Sequence, residues 1–164
     1  MKCIYIIGPE SSGSVLVAKI VAHNLGIADY GTWNGFGIIK DTKNKVIHRS
    51  LPYGKESIYP DIDSLYEKNR VFQQLFILTT RDNKISKISK MERFKKTKQT
   101  VNKENNKAKS IFLHIMDTYK FFLFSYETFM FLGKPYLNQL NKWVGTDKFF
   151  CPELIDGNEK RIKW

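Results

Sequence analysis

Short apolar runs alternate with stretches of helical periodicity along the whole chain. Lys2–Ile7 is almost wholly apolar and ends at Gly8, which is typical of a buried strand. In Ser14–Leu25 the apolar residues recur every three to four positions, with Ser12 and Gly26 placed to cap the two ends, so we predict a helix there. By the same criteria, the other predicted strands are 45–49, 72–80 and 121–126, and the other predicted helices are 83–94, 110–119 and 128–144, the last bent or restarted at Pro135.

The order of these elements predicts an α/β fold with a central parallel sheet flanked by helices on both faces. The N-terminal segments form a P-loop-like strand-loop-helix. A chain of 164 residues fits one domain, and we assign residues 1–164 to it. Ligands of such sheets bind beyond the carboxyl ends of the strands, so the side chains at those ends are the candidates for function.

The net charge of +11 narrows the class of partner. It favours an anion: nucleic acid, an acidic membrane surface or a phosphorylated small molecule. Eleven of the lysines and arginines lie in residues 81–109, against three acidic residues. Within this stretch, residues 95–107 contain one apolar side chain and predict a solvated loop, while Lys84, Lys87 and Lys90 follow a helical spacing that predicts a solvated face.

The cysteines and the N-terminus bear on the compartment. Cys3 and Cys151 are too few for a disulfide framework or a Cys-based zinc site. The apolar run over residues 1–7 is too short for a signal peptide or a membrane span. We therefore expect a reduced, cytoplasmic protein that does not enter a membrane.

The first candidate binding segment is the loop Gly8–Ser14 (GPESSGS). Backbone N–H groups in such a loop, added to the dipole of the following helix, attract an anion, and glycines let it approach closely. Against the nucleotide-binding pattern G-x-x-x-x-G-K-[S/T], Ser14 replaces the Lys and Val15 replaces the Ser or Thr. ATP-driven phosphoryl transfer is therefore disfavoured. The alternative is a plain turn between a strand and a helix.

The second candidate segment follows the strongest predicted strand. Arg81 lies at the strand tip, and Ser89 lies two turns into the next helix. A guanidinium and a hydroxyl placed in this way can hold one phosphate from two sides. The alternative is a local ion pair between Arg81 and Asp82, with Ser86 and Ser89 merely exposed on the helix.

Together these segments resemble the sulfotransferase superfamily, whose members transfer a sulfuryl group from 3′-phosphoadenosine 5′-phosphosulfate (PAPS). Two further segments add to the resemblance: Phe122–Glu127 (FLFSYE) and Val46–Pro52 (VIHRSLP). The resemblance implies PAPS as co-substrate, no metal, and a hydroxyl or amine of a sugar or small molecule as acceptor. It also implies a role for each of the matching positions: Ser11, Ser12, Gly13 and Ser14 at the 5′-phosphosulfate, Arg81 and Ser89 at the 3′-phosphate, Tyr126 at the adenine, and His48 as the catalytic base.

The chain departs from the family pattern at two positions of the site. Ser11 stands where the family loop usually carries a Lys, and Lys55 or Arg49 is a candidate replacement. In the family's His-Leu-Pro segment the His position is Ser50; His48 faces the same side of an extended strand. Glu10 in the loop is the second candidate base, because some branches of the family use a carboxylate.

Three other expectations concern the surroundings of this site. Residues 156–161 resemble a basic C-terminal segment that closes over the 3′-phosphate. Trp33 and Phe36 are candidates to line an acceptor site, or else they pack on the sheet. Glu127 is expected to support the turn at Tyr126.

Two readings besides a sulfotransferase remain open. One is a nucleic-acid-binding protein in which residues 81–109 follow a phosphate backbone, but its lysines are not interleaved with aromatic residues, so nucleic acid is disfavoured as a partner. The other is a degenerate P-loop protein that binds a nucleotide without catalysis. The sequence predicts no oligomeric state.

Overall fold

The structure is a computed structural model that describes residues 1–54 and 57–159. Its strands and helices alternate as the apolar pattern predicts. In chain order they are β1 (Lys2–Pro9), α1 (Ser14–Asn24), β2 (Gly37–Lys40), β3 (Asn44–Leu51), α2 (Ile62–Glu67), β4 (Gln73–Thr80), α3 (Asn83–Phe94), α4 (Lys98–Thr118), β5 (Phe121–Ser125), α5 (Tyr126–Leu132) and α6 (Lys134–Val144).

The five strands form one mostly parallel sheet in the order β2-β3-β1-β4-β5. The strands β3, β1, β4 and β5 are parallel neighbours, and β2 joins the edge antiparallel to β3. The α/β class with helices is therefore confirmed, but the sheet is mixed rather than wholly parallel. The central strand β1 lies between β3 and β4, so the loop that follows it opens between the carboxyl ends of both neighbours.

The alternation of side chains along β1 divides the core into two layers. Ile4 and Ile6 face a layer closed by α1, α5 and α6. Cys3, Tyr5 and Ile7 face a second layer closed by α2 and α4. All five side chains are fully buried, as expected of a strand with helices on both sides.

The structure corrects three of the sequence predictions for the basic segment and the C-terminal helix. Residues 98–107 are not a solvated loop but the first half of α4, because Val101, Glu104 and Ala108 recur on one buried face. Lys90 is fully buried and does not belong to a solvated face. The predicted helix 128–144 is two helices, separated at Gly133 rather than at Pro135. No helix in the described ranges is both long and apolar enough to span a bilayer.

Candidate functional site

The backbone around the loop between β1 and α1 is constrained at three positions. A side chain at Gly8 would overlap the hydroxyls of Thr79 and Ser12, and Gly13 has a φ of 84° with the Tyr126 ring against its Cα. Ser11 also adopts a left-handed backbone, with a φ of 66°. The N-terminus of α1 has no side-chain cap, so its first N–H groups face the loop.

The neighbouring strands fix this loop on both sides. Ser12 Oγ lies 2.7 Å from Thr79 Oγ1 at the end of β4. Ser14 Oγ lies 2.9 Å from His48 Nε2 on β3. Both hydrogen bonds are buried, so the conformation of the loop depends on the strand ends that flank it.

Arg81 and Ser89 converge on Ser11. The Arg81 Nη1 group donates to the Ser11 carbonyl oxygen at 3.1 Å, and the Ser89 hydroxyl donates to Ser11 Oγ at 3.1 Å. Ser89 is 1% exposed, so the alternative in which it is merely an exposed helix position is wrong, as it is for the buried Ser86. A basic side chain and a buried hydroxyl thus meet at the left-handed residue of the loop.

Tyr126 and the segment around residue 157 close the far side of Arg81. The guanidinium stacks over the Tyr126 ring at 4.7 Å, and its Nε donates to Asn158 Oδ1 at 2.7 Å. The Tyr126 hydroxyl accepts from the Gly157 N–H at 2.8 Å. Glu127 accepts from the Asp82 N–H and from Asn158 Nδ2, so it joins α3, α5 and this segment. The first part of 156–161 therefore covers Arg81, whereas Lys160 and Arg161 lie outside the described residues.

His48 is a buried, neutral histidine. Its side chain is 2% exposed, and its ring lies 5.8 Å from that of Phe36. Burial, with a smaller contribution from the charge of Arg49, lowers the pKa of His48 to about 4. At neutral pH the imidazole is uncharged, and it forms a hydrogen bond with Ser14 at the end of the loop between β1 and α1.

Glu10 is held by a partly buried chain of charges that runs from the loop to α3 and α4. Lys96 Nζ lies 2.5 Å from Glu10 Oε2 and 2.8 Å from Glu104 Oε1, and Glu104 Oε2 lies 4.0 Å from Lys90 Nζ. Burial lowers the pKa of Lys90, and the charge of Glu104 partly opposes it. Burial also acts against the charge of Lys96, but the hydrogen bonds that Lys96 donates to Glu10 and Glu104, together with the charges of these carboxylates, outweigh it and raise the pKa of Lys96. The loop is thereby tied to the turn between α3 and α4.

The loop forms the floor of a cleft of about 1060 Å³. Its floor includes Ser11, Gly13, Ser14 and His48. Its walls carry aromatic and cationic side chains: Phe36, Tyr53, Phe94, Arg49 and Arg93. A second, more apolar cavity of about 380 Å³ lies on the other side of Arg81, against α4.

The structure thus brings together all of the side chains that the sequence assigns to the donor site. Of the two aromatic residues considered for an acceptor site, Phe36 lines the cleft. Trp33 packs against the core, and its indole N–H donates to the Phe36 carbonyl oxygen. Lys55 lies outside the described residues. Sequence reasoning included Asn158 within the segment 156–161 but missed Thr79, Arg93 and Lys96. Of these three, only Thr79, two residues before Arg81 at a strand end, carried a local signal.

Comparisons with families and curated proteins identify no relative of this chain, so a function can be proposed only from the arrangement of these residues. No protein-family model matches the chain, and no curated protein shows significant sequence similarity to it. Within residues 1–54 and 57–159, no group of three or more His, Cys, Asp or Glu side chains is placed to hold a metal ion.

Proposed function

We propose that the protein is a sulfotransferase that takes a sulfuryl group from PAPS and passes it to a hydroxyl or amine of a sugar or small molecule. The observation that carries the proposal is the convergence of Arg81 and Ser89 on Ser11. The resemblance assigns these three residues to one bisphosphorylated donor, and they are distant in sequence but in contact in the fold.

The chemistry of a PAPS site agrees with the groups that are present. The donor is a polyanion; the loop offers N–H groups at an uncapped helix N-terminus and hydroxyls, and Arg81, which follows β4, adds a guanidinium in contact with the loop. In the transfer, the bond from sulfur to the phosphate oxygen breaks and a bond from sulfur to the acceptor atom forms. The acceptor's proton passes to a base, and the leaving phosphate keeps the electron pair. Gly8 and Gly13 let the side chains of Thr79, Ser12 and Tyr126 pack directly against this backbone, which brings the predicted donor residues close together.

His48 fits the role of base better than Glu10. Its imidazole is neutral and lies on the floor of the cleft, whereas the Glu10 carboxylate is paired with Lys96. A pKa of about 4 makes His48 a weak proton acceptor, however, and its Nε2 is already bonded to Ser14. These two facts favour a second candidate function, which is binding of the same nucleotide without turnover.

The proposed function is tested by ligand selectivity. Thermal shift and calorimetry are run with 3′-phosphoadenosine 5′-phosphate (PAP), AMP, ATP and a DNA oligonucleotide. We expect PAP to bind at least tenfold more tightly than AMP, because a charge-assisted contact to the 3′-phosphate contributes about 1.5–3 kcal/mol. Equal affinities for PAP and AMP would remove the donor assignment, and the strongest response to DNA would favour the nucleic-acid reading.

Turnover then separates the two candidate functions. The donor is supplied with a panel of hydroxyl and amine acceptors, and PAP release is followed for the wild type, His48→Ala and Glu10→Gln. A sulfotransferase that uses His48 loses about 10²–10⁴-fold in turnover in the first variant and keeps its PAP affinity. PAP binding with no release across the panel would favour the non-catalytic function.

A further inference from the structure

The walls of the cleft above the loop carry two arginine side chains, each stacked on an aromatic ring. The Arg49 guanidinium lies 5.2 Å from the centre of the Tyr53 ring, and the Arg93 guanidinium lies 5.2 Å from that of Phe94. Arg49 comes from β3 and Arg93 from the last turn of α3, so the two pairs belong to different elements. Both pairs line the same cleft.

Both guanidiniums have N–H groups that can donate hydrogen bonds to a ligand. Stacking on a ring orients the plane of a guanidinium and leaves the N–H groups at its edge for an anion. Arg49 Nη1 donates to the His48 carbonyl at 2.7 Å, which uses one of its five N–H donors. Among residues 1–54 and 57–159, no carboxylate forms an ion pair with Arg49 or Arg93.

The acidic side chains in the described lining of the cleft do not neutralise the positive charges of Arg49 and Arg93. Glu10 is the one acidic side chain among the described residues that line it, and Lys96 pairs with Glu10 at 2.5 Å. The cleft therefore holds an excess of positive charge beyond what the loop supplies. An anion that entered it would meet cations on two walls.

The aromatic side chains add a second requirement. Phe36 is 59% exposed, which leaves an apolar face of its ring open at the cleft. Such a face suits the flat side of a sugar or aromatic ring. The Phe94 ring instead carries the Arg93 guanidinium, with Lys96 Nζ 5.3 Å from its centre. Ser89, in contact with the loop, precedes Arg93 by four residues on α3, so the two side chains lie on one face of that helix, one turn apart.

We propose that this cleft binds an anionic acceptor, a compound whose ring carries a carboxylate or a sulfate or phosphate ester, held by Arg49 and Arg93 while its hydroxyl meets the loop. This inference rests on the proposed function and names the substrate class of that site. It assigns to Arg49 a role in acceptor binding and to Arg93 a role that the loop motifs do not reveal.

The test uses a matched pair of probes, 4-nitrophenyl β-D-glucuronide and 4-nitrophenyl β-D-glucoside. The two differ in one carboxylate and share both rings. Binding is measured by calorimetry with and without saturating PAP. We expect the glucuronide to bind about tenfold more tightly than the glucoside, the ratio typical of one charge-assisted contact.

Three variants identify the arginines that distinguish the glucuronide from the glucoside. Arg49→Gln and Arg93→Gln are each expected to reduce the ratio of the two affinities to about threefold or less, and Arg93→Gln is expected to leave PAP affinity within twofold. Arg70→Gln, at an exposed arginine beyond α2, makes the same change in net charge and is expected to keep the ratio. Circular dichroism and the melting temperature verify that each variant is folded.

The outcomes separate this inference from the function on which it rests. Equal affinity for the two probes, or a ratio that survives in the Arg49→Gln/Arg93→Gln double variant, overturns the anionic acceptor. If PAP is preferred over AMP in the same preparation, the donor assignment stands in spite of that result. Loss of the PAP preference with retained discrimination between the probes overturns the donor assignment and keeps the anion-binding cleft.

Discussion

A single experiment separates the observed contacts of Arg81 and Ser89 with Ser11 from the role that we propose for them at the 3′-phosphate. Both hold Ser11 in its left-handed conformation, and both are assigned to the 3′-phosphate. A purely structural role would affect all nucleotides equally. Recognition of the 3′-phosphate would affect only those nucleotides that carry it.

We therefore predict that Arg81→Ala weakens PAP binding by tenfold or more and AMP binding much less. Ser89→Ala should act in the same direction with a smaller loss, of about 1 kcal/mol, because a neutral hydroxyl is replaced. Calorimetric titrations of both nucleotides measure the difference. Parallel losses for PAP and AMP would show that the two side chains only shape the loop.

The burial of His48 makes the stability of the fold depend on pH. The pKa of His48 is about 4 in the folded state and about 6.5 in the unfolded chain. Between these values the unfolded state binds the proton and the folded state does not, so stability is full above about pH 6.5 and is lost as the pH falls towards 4. The loss amounts to roughly 3 kcal/mol.

The prediction is that His48→Gln flattens this part of the pH profile. Urea unfolding at intervals between pH 4 and pH 7 gives the free energy of unfolding for both proteins. A decline that persists in His48→Gln contradicts the assignment of the effect to this residue.

At the scale of elements, local pattern predicts the strands and their order along the chain well. The runs that become β1, β3, β4 and β5 are apolar because helices cover both faces of the sheet. The edge strand β2 escapes this criterion, since it has four residues that alternate between half-buried and exposed. The first half of α4 also escapes it, because its buried face uses a glutamate beside Val101 and Ala108.

The candidate site divides in the same way. Ser11, Arg81 and Tyr126 follow the ends of neighbouring strands, so their proximity follows from the parallel order of the sheet. Lys96 and Arg93 reach the site because α3 and α4 fold back on each other, a tertiary contact that no local pattern encodes. Sequence alone therefore predicts that these three segments meet, and it does not predict that Lys96 and Arg93 lie beside them.

The packing of α3 on α4 depends on Glu104. Glu104 is 6% exposed, and its carboxylate faces the buried ammonium group of Lys90 and the half-buried one of Lys96. We predict that Glu104→Gln lowers the free energy of unfolding by about 3 kcal/mol, because it leaves buried charge uncompensated. Urea denaturation measures the loss, with Glu67→Gln at the exposed end of α2 as the control.

A second variant distinguishes charge from shape in this contact. Adding Lys90→Met to Glu104→Gln removes one of the stranded ammonium groups and should recover part of the stability. If the double variant is less stable than Glu104→Gln by the full cost of a separate substitution, the two residues are not coupled.

At the scale of the whole molecule, the net charge of +11 will attract any polyanion. We predict that DNA binding falls by roughly a hundredfold or more between 50 and 300 mM salt, since such attraction depends on counterion release. The preference for PAP over AMP should change much less, because contacts at a half-buried site are screened less. Calorimetry with each ligand across this range measures both trends, and a parallel collapse would reduce the PAP preference to general charge attraction.

The position of α3 has a consequence for how two ligands communicate. Ser89 touches the loop and Arg93 borders the cleft, and between them the buried Lys90 fastens the helix to α4. A rigid helix cannot adjust one turn without carrying the next. If the donor shifts α3 when it binds at the loop, it changes the affinity of the cleft for the acceptor, and by reciprocity the acceptor changes the affinity for the donor by the same factor. A change in acceptor affinity on addition of the donor would then be a property of this one helix, and not of two independent pockets.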